Sequence, residues 1–307
     1  MWIQSSRYFL KTGLIGLFLF VAVAHADVSD GTNDPKLLFE KMQLAKQHLS
    51  YRGSLAYELG DKLLSYFMES SGGVGKGART LASLNGPSKL YLMDSESECS
   101  PRNSRSVDEL SNWYNFSYVG PTRVAGRSGH EIVLRPVDPY RLSYSYAVDQ
   151  ETGLMLRSIA MLPDRRVLER TEFVSLEVTT ESNDSPEPQL LEQDVNSHSP
   201  LEVELPCDTG HSISWQLNWL PEGFELIEQG EESGHSFLVY SDGVSTFSLF
   251  IEPVSKFGLP VGTTQRGATT LAINYFSLGG AAFMTTFVGE VPLNTAERIV
   301  QGLGSSL

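Results

Sequence analysis

Cysteine, basic side chains and long apolar runs are all in short supply in this chain of 307 residues. Its two cysteines, Cys99 and Cys207, permit one disulfide and no more. That bridge would close a loop of roughly 100 residues and contribute about 4–5 kcal/mol in the chain-entropy model, two separate thiols being the alternative. Lysine and arginine total 23 against 37 aspartates and glutamates, a formal net charge of −14. A surface this short of positive charge is repelled by phosphate backbones, which argues against nucleic acid as a partner and favours proteins with basic segments. The apolar run from Gly13 to Ala24 falls short of the ~20 residues that a membrane helix needs. With Arg7 and Lys11 ahead of it and Ala24-His25-Ala26 behind it, the run has the form of a secretory signal peptide, residues 1–26, cleaved before Asp27. The chain is therefore expected outside the cytoplasm.

Catalytic constellations are scarce too. The glycines around Gly75-Lys76 suggest a phosphate-binding loop, but Ser70 stands where the first glycine of that motif belongs and Gly77 where its hydroxyl belongs. The run from Ser70 to Pro87 is read instead as a flexible connection. His130-Glu131 lacks the second histidine of a zinc-protease helix, since position 134 is Leu134. Gly126-Arg127-Ser128-Gly129 lacks the closing glycine of a nucleophile elbow, since position 130 is His130. The remaining histidines, His48, His198, His211 and His235, are scattered. Asp138, Asp149 and Asp164 occupy turn positions, where a carboxylate caps backbone amides. No enzyme is expected, no metal site and no cofactor.

What is present is a pattern of strands with two helices. Asp34-Pro35 is a helix start, with the carboxylate as cap and proline in the first turn. Leu38, Met42, Ala45 and Leu49 then recur on one apolar face. Leu55, Tyr57 and Leu59, then Leu64, Tyr66 and Met68, alternate as a hairpin about Gly60-Asp61. From Arg127 to Val178, four alternating runs separated by short polar turns predict an antiparallel meander that the helix covers. Residues 179–206, rich in serine, proline and acids, read as a linker between residues 27–178 and residues 207–307. The second part shows six strand patterns and a closing helix capped at Asn294 or Thr295, with Ala296, Ile299, Val300 and Leu303 on its apolar side. The fold class is α+β.

Two apolar groups are candidate binding residues. Tyr144, Tyr146 and Met155 would line a sheet face able to take acyl chains, or form core beneath the helix. Trp215, Trp219 and Phe224 would anchor a protein partner, or form the core of the second domain.

The stretches "LLFEKMQLAKQHLSYRGSLAY", "LASLNGPSK", "FSYVGPTRVAGRSGHEIVLRPVD" and "YSYAVDQETGLMLRS", with "ISWQLNWLPEGFEL", "YSDGVSTFSLFIEP" and "FVGEVPLNTAERIV" further on, resemble the MucB/RseB family of periplasmic regulators of sigma-E. The resemblance implies an N-terminal lipoprotein-carrier-like domain, an unclosed antiparallel β-barrel with a covering helix, and a smaller C-terminal α+β domain. It also implies a partner, the periplasmic domain of a transmembrane anti-sigma factor of RseA/MucA type, which the protein shields from site-1 proteolysis until lipopolysaccharide or lipoprotein acyl chains release it. Residues 93–112 are shorter and more polar than the family's corresponding segment, where further strands and a lid belong. A lipid or lipoprotein carrier is the alternative function, and a homo-oligomer is left open.

Overall fold

The computed structural model describes residues 33–72, 79–84, 90–93, 105–179, 215–232, 234–255 and 258–305. The signal peptide, Gly75-Lys76, both cysteines and their pairing, the linker from residue 180 onward and residues 94–104 of the polar segment lie outside the described residues.

Helix α1 (Pro35–His48) starts where the sequence places it: Asp34 accepts the Lys36 N–H at 2.8 Å, and Pro35 occupies the first turn. Its apolar face buries Leu38, Phe39, Met42 and Ala45. Phe39 meets Phe116 edge-on at 5.4 Å and lies 6.1 Å from Tyr146. Strands β1 (Ser50–Leu59), β2 (Lys62–Ser70), β3 (Arg79–Ser83) and β4 (Leu90–Met93) follow, then a short helix α2 (Val107–Leu110) closed by a Ser106/Glu109 capping box. Strands β5 (Tyr114–Val124), β6 (Arg127–Pro136), β7 (Ser143–Asp149), β8 (Met155–Met161) and β9 (Val167–Thr179) complete a nine-stranded antiparallel sheet in the order β4-β3-β2-β1-β9-β8-β7-β6-β5.

The meander and the first hairpin are found as expected, with β1 pairing along β9 to join them. The sheet keeps two free edges, β4 and β5, yet Val124 of β5 and Leu176 of β9 share one apolar cluster, so it curls without closing. Strand β5 was not among the expected elements. Ala125-Gly126, both at positive φ, form the two-residue turn that pairs it with β6. The connection read from Ser70 to Pro87 is also corrected, because Arg79–Ser83 forms β3 on the edge of β2.

The second sheet holds β11 (Glu225–Glu232), β12 (His235–Ser241), β13 (Thr246–Pro253), β14 (Gly262–Arg266), β15 (Thr269–Leu278) and β16 (Ala281–Gly289), in the order β11-β12-β13-β16-β15-β14. A small pair, β10 (Trp215–Leu217) with β17 (Leu303–Ser305), brackets helix α3 (Leu293–Gln301). Alternation puts Leu238 and Tyr240, Phe247, Leu249 and Ile251, Ala272, and Phe287 on one face, where α3 covers them with Ala296, Ile299 and Val300. Tyr240, Phe247 and Phe287 stack in sequence at 5.1 and 5.0 Å. The cap of α3 differs from expectation: Pro292 is the N-cap, and Asn294 and Thr295 lie within the first turn. Thr295 is diverted to a tertiary role, its hydroxyl donating to the Tyr140 carbonyl at 3.2 Å.

Candidate functional site

The chemistry of the molecule is concentrated where turns of the second sheet enter the first. The loop between β6 and β7 carries Asp138, which accepts the Tyr140 N–H at 2.9 Å as a turn-forming carboxylate does. That turn aims Arg141 inward, and its side chain is fully buried. Arg141 donates from Nε to Asp242 Oδ2 at 2.7 Å, and from its terminal nitrogens to Asp138 and the Glu222 carbonyl. Its guanidinium lies over the Phe224 ring at 5.1 Å. Asp242, in the β12–β13 turn, is equally buried; it accepts Tyr114 Oη–H at 2.9 Å, and the Val244 and Ser245 N–H groups at 2.9 and 2.8 Å. Each nitrogen of the guanidinium and each oxygen of the carboxylate therefore has a partner, the condition under which such a buried charge pair is tolerated.

Beside it, the Tyr144 hydroxyl contacts Ser245 Oγ at 2.9 Å and donates to Glu290 Oε2 at 3.1 Å. Burial raises the Glu290 carboxyl above its ordinary range, although the Tyr144 hydrogen bond opposes the shift. Burial likewise pushes the Tyr114 and Tyr144 hydroxyls up, so both stay protonated donors. The β14–β15 turn makes a second entry: Glu169 of β9 accepts the Ala268 N–H and Tyr57 Oη–H, each at 2.9 Å. Val244 and Ala268, from the two turns, pack into the same apolar cluster as Leu38, Phe39 and Met42. A third contact is aromatic. Tyr140 meets Trp219 edge-on at 5.0 Å, and Arg298 lies 3.9 Å over the Trp219 ring.

The residues singled out from sequence are therefore distributed as follows. Tyr144 and Tyr146 are core, stacked at 5.9 Å beneath α1, and Tyr144 is committed to the junction just described. Met155 is 36% exposed and does not join them. Trp215 and Phe224, for which partner anchors and domain core were both open, are 7% and 4% exposed and belong to the core of the second sheet; Trp219 alone of the three keeps part of its ring at the surface. A more open apolar surface lies on β1, β2, β3 and β9, where partly exposed Tyr66, Met68, Leu81 and Val178 surround Tyr51, Leu55 and Phe173. Its signal was the alternation of Leu55, Tyr66 and Met68, which defined the hairpin but carried no hint of which strands would lie alongside. Asp242 and Glu290 fall in stretches that carry the family resemblance, but nothing in the sequence showed the role of these residues or of Arg141 at the junction, because each acquires it from a partner about 100 residues or more away. Among the described residues, no three of His, Cys, Asp and Glu are grouped to hold a metal ion.

Comparison with known proteins matches residues 92–191 to the MucB/RseB N-terminal domain and residues 209–304 to the MucB/RseB C-terminal domain. The sigma-E factor regulatory protein RseB of Haemophilus influenzae is 34% identical over 202 residues, 64% of this chain and 61% of that protein, so the match spans less than two thirds of that relative. The sigma factor AlgU regulatory protein MucB of Pseudomonas aeruginosa is 27% identical over 312 residues, 93% of this chain and 94% of that one. In fold, the chain superposes on the solved Pseudomonas aeruginosa MucA/MucB complex with a TM-score of 0.70 at 24% identity, over 89% of this chain and 99% of that one. Two domain models matched in order, with a fold that agrees across both sheets, establish that this chain belongs to the MucB/RseB family.

Proposed function

We propose that this chain is a periplasmic negative regulator of a sigma-E-type stress response, which binds the periplasmic domain of a transmembrane anti-sigma factor and shields it from site-1 proteolysis. The observation that carries the reading is the alignment to a named sigma-factor regulator along 93% of the chain, through both sheets. Residues 1–26 supply export, residues 27–178 the lipid-responsive part and residues 207–307 the greater part of the partner contact. The acidic balance suits a partner with basic segments. Release by lipopolysaccharide or acyl chains is assigned to the open apolar surface around Tyr66, Met68 and Leu81 rather than to Tyr144 and Tyr146, whose rings are already packed. The chain acts by binding and not by catalysis.

The test is protection of a purified anti-sigma periplasmic domain from its site-1 protease by the mature protein, with and without lipopolysaccharide or an acylated peptide. Protection reversed by the lipid is the expected result. Absence of protection at micromolar concentration would reject the regulator. The same apolar surface favours a second reading, a carrier of lipid or lipoprotein; that reading requires the mature protein to move an acylated peptide between vesicles with no anti-sigma factor present.

A further inference from the structure

The six-stranded sheet has a second face. Cross-strand registers place Val239, Ser248, Val288, Leu271 and Thr264 in one row across it, and Phe237, Phe250, Thr286 and Ile273 in the next. These rows alternate with the residues under α3, so they point away from the helix. Among the described residues no helix or strand lies on them. Phe250, near the centre, is 41% exposed. Phe237 is held low because Gly230 faces it across the β11–β12 pair, where an added Cβ would stand 2.6 Å from the ring. The result is a face of Val, Phe, Leu and Ile side chains on adjacent strands, interspersed with Ser248, Thr264 and Thr286 and with Phe250 standing out from it, a mixed surface of the kind that an amphipathic partner can cover.

Charge at its border selects the occupant. Residues 215–305 carry nine acids against three lysines and arginines. Glu228 stands directly across from Val239 on the border strand, and Glu252 follows Phe250 by two residues on the same face. Arg266, opposite Thr269 at the far corner on β14, lies beyond both rows, and His235 Nδ1 stands 3.7 Å from the Glu252 carboxylate. An anionic lipid surface would be repelled by these carboxylates, whereas a protein segment carrying lysines or arginines would be attracted to them.

We infer that this face docks an amphipathic segment of a protein partner, whose apolar residues cover Val239, Phe250 and Val288 and whose lysines or arginines reach Glu228 and Glu252. The inference rests on the proposed regulatory function and names the surface through which it is exercised.

The experiment measures binding of the purified periplasmic domain of a MucA-type anti-sigma factor to the full mature chain by calorimetry, at two salt concentrations, with melting temperature and sedimentation recorded for each variant. Phe250→Glu is expected to weaken binding about tenfold or more, as a charge placed at the centre of an apolar contact does, and Phe250→Ala less in the same direction. Glu228→Lys with Glu252→Lys is expected to weaken binding and flatten its salt dependence. Val174→Glu, at an exposed position on the first sheet, is expected to leave binding unchanged. Binding by Phe250→Glu and the double lysine variant within about twofold of wild type, at unaltered melting temperature, overturns the docking face while leaving the regulator standing. Failure of the wild-type chain to bind overturns both. A shift from dimer to monomer in Phe250→Glu without loss of anti-sigma binding assigns the face to a second copy and overturns the inference as well.

Discussion

Replacing Asp242 with alanine tests the junction between the sheets most directly. The carboxylate accepts four hydrogen bonds, from Arg141, Tyr114 and the Val244 and Ser245 amides, and neither it nor Arg141 reaches solvent. Without it, Arg141 retains Asp138 and the Glu222 carbonyl, while two amides and a tyrosine hydroxyl lose their acceptor. Breaking a buried ion pair from one side costs about 3–5 kcal/mol, a large part of the ~5–15 kcal/mol that holds a typical domain together. Urea unfolding of the mature protein should show that loss as a lower midpoint. The companion variant, Arg141→Met with Asp242→Ala, removes both charges at once. It should cost less than the two single variants together, by a coupling of about 2–3 kcal/mol in the double-mutant cycle, while the Val244 and Ser245 amides and the Tyr114 hydroxyl stay without their acceptor. A cost below about 1 kcal/mol for Asp242→Ala, or single-variant effects that simply add, would refute the claim that the pair is mutually dependent.

Three further outcomes follow, two of them from the same region. Gly223 has φ +89°, and a Cβ there would stand 2.4 Å from the Trp113 indole, so Gly223→Ala should cost about 2–4 kcal/mol through backbone strain and overpacking, read as a drop in melting temperature. A drop no larger than that of a surface substitution would count against the contact. Glu290, held above the ordinary carboxyl range in the folded chain, binds a proton more readily folded than unfolded. Its contribution is therefore most favourable at low pH and is lost as pH rises through the folded value. Melts recorded from neutrality down to about pH 5 should show wild type gaining stability relative to Glu290→Gln in the range just above the usual glutamate value. Asp149 has the opposite sign. Burial would raise it, but hydrogen bonds from Arg127 and Thr152 outweigh that and hold it low, so its contribution disappears only as pH falls below the usual aspartate range.

Local chemistry was legible wherever a signal and its consequence lie within a few residues. Asp34-Pro35 set the start of α1, and alternation about Gly60 set the first hairpin. The helix also covers the meander, because a one-sided apolar sheet and a one-sided apolar helix have few other ways to bury themselves. The misses share a different cause. β5 carries Gly120 and Pro121 beside a register shift after Tyr118, features that read as a loop in isolation and that the ladder with β6 overrides. Tyr144, Trp215 and Phe224 are not among the misses: core and surface roles were both open for these large apolar side chains, and what packs against each one decides for core. For Tyr144 that is Ser245 and Glu290, from a different sheet. The resemblance to the MucB/RseB family supplied the fold of both halves, which periodicity alone described only as strands and helices.

The two ends of the second sheet stand in different relations to sequence change. At one end, Gly234 in the β11–β12 turn and Gly279-Gly280 in the β15–β16 turn have nothing among the described residues within 4 Å of an added Cβ. At the other, a Cβ on Gly243 would meet Leu110 and Arg105, and one on Gly267 would meet Glu169 and Leu59. Hairpin tips ordinarily absorb insertions, and here that freedom belongs to one end only. Length variation among relatives should collect at Gly234 and Gly279-Gly280, which are also the places for an epitope tag or fluorophore; the turns at Gly243 and Gly267 should keep their length, since one added residue would withdraw Asp242 or Ala268 from the sheet it enters.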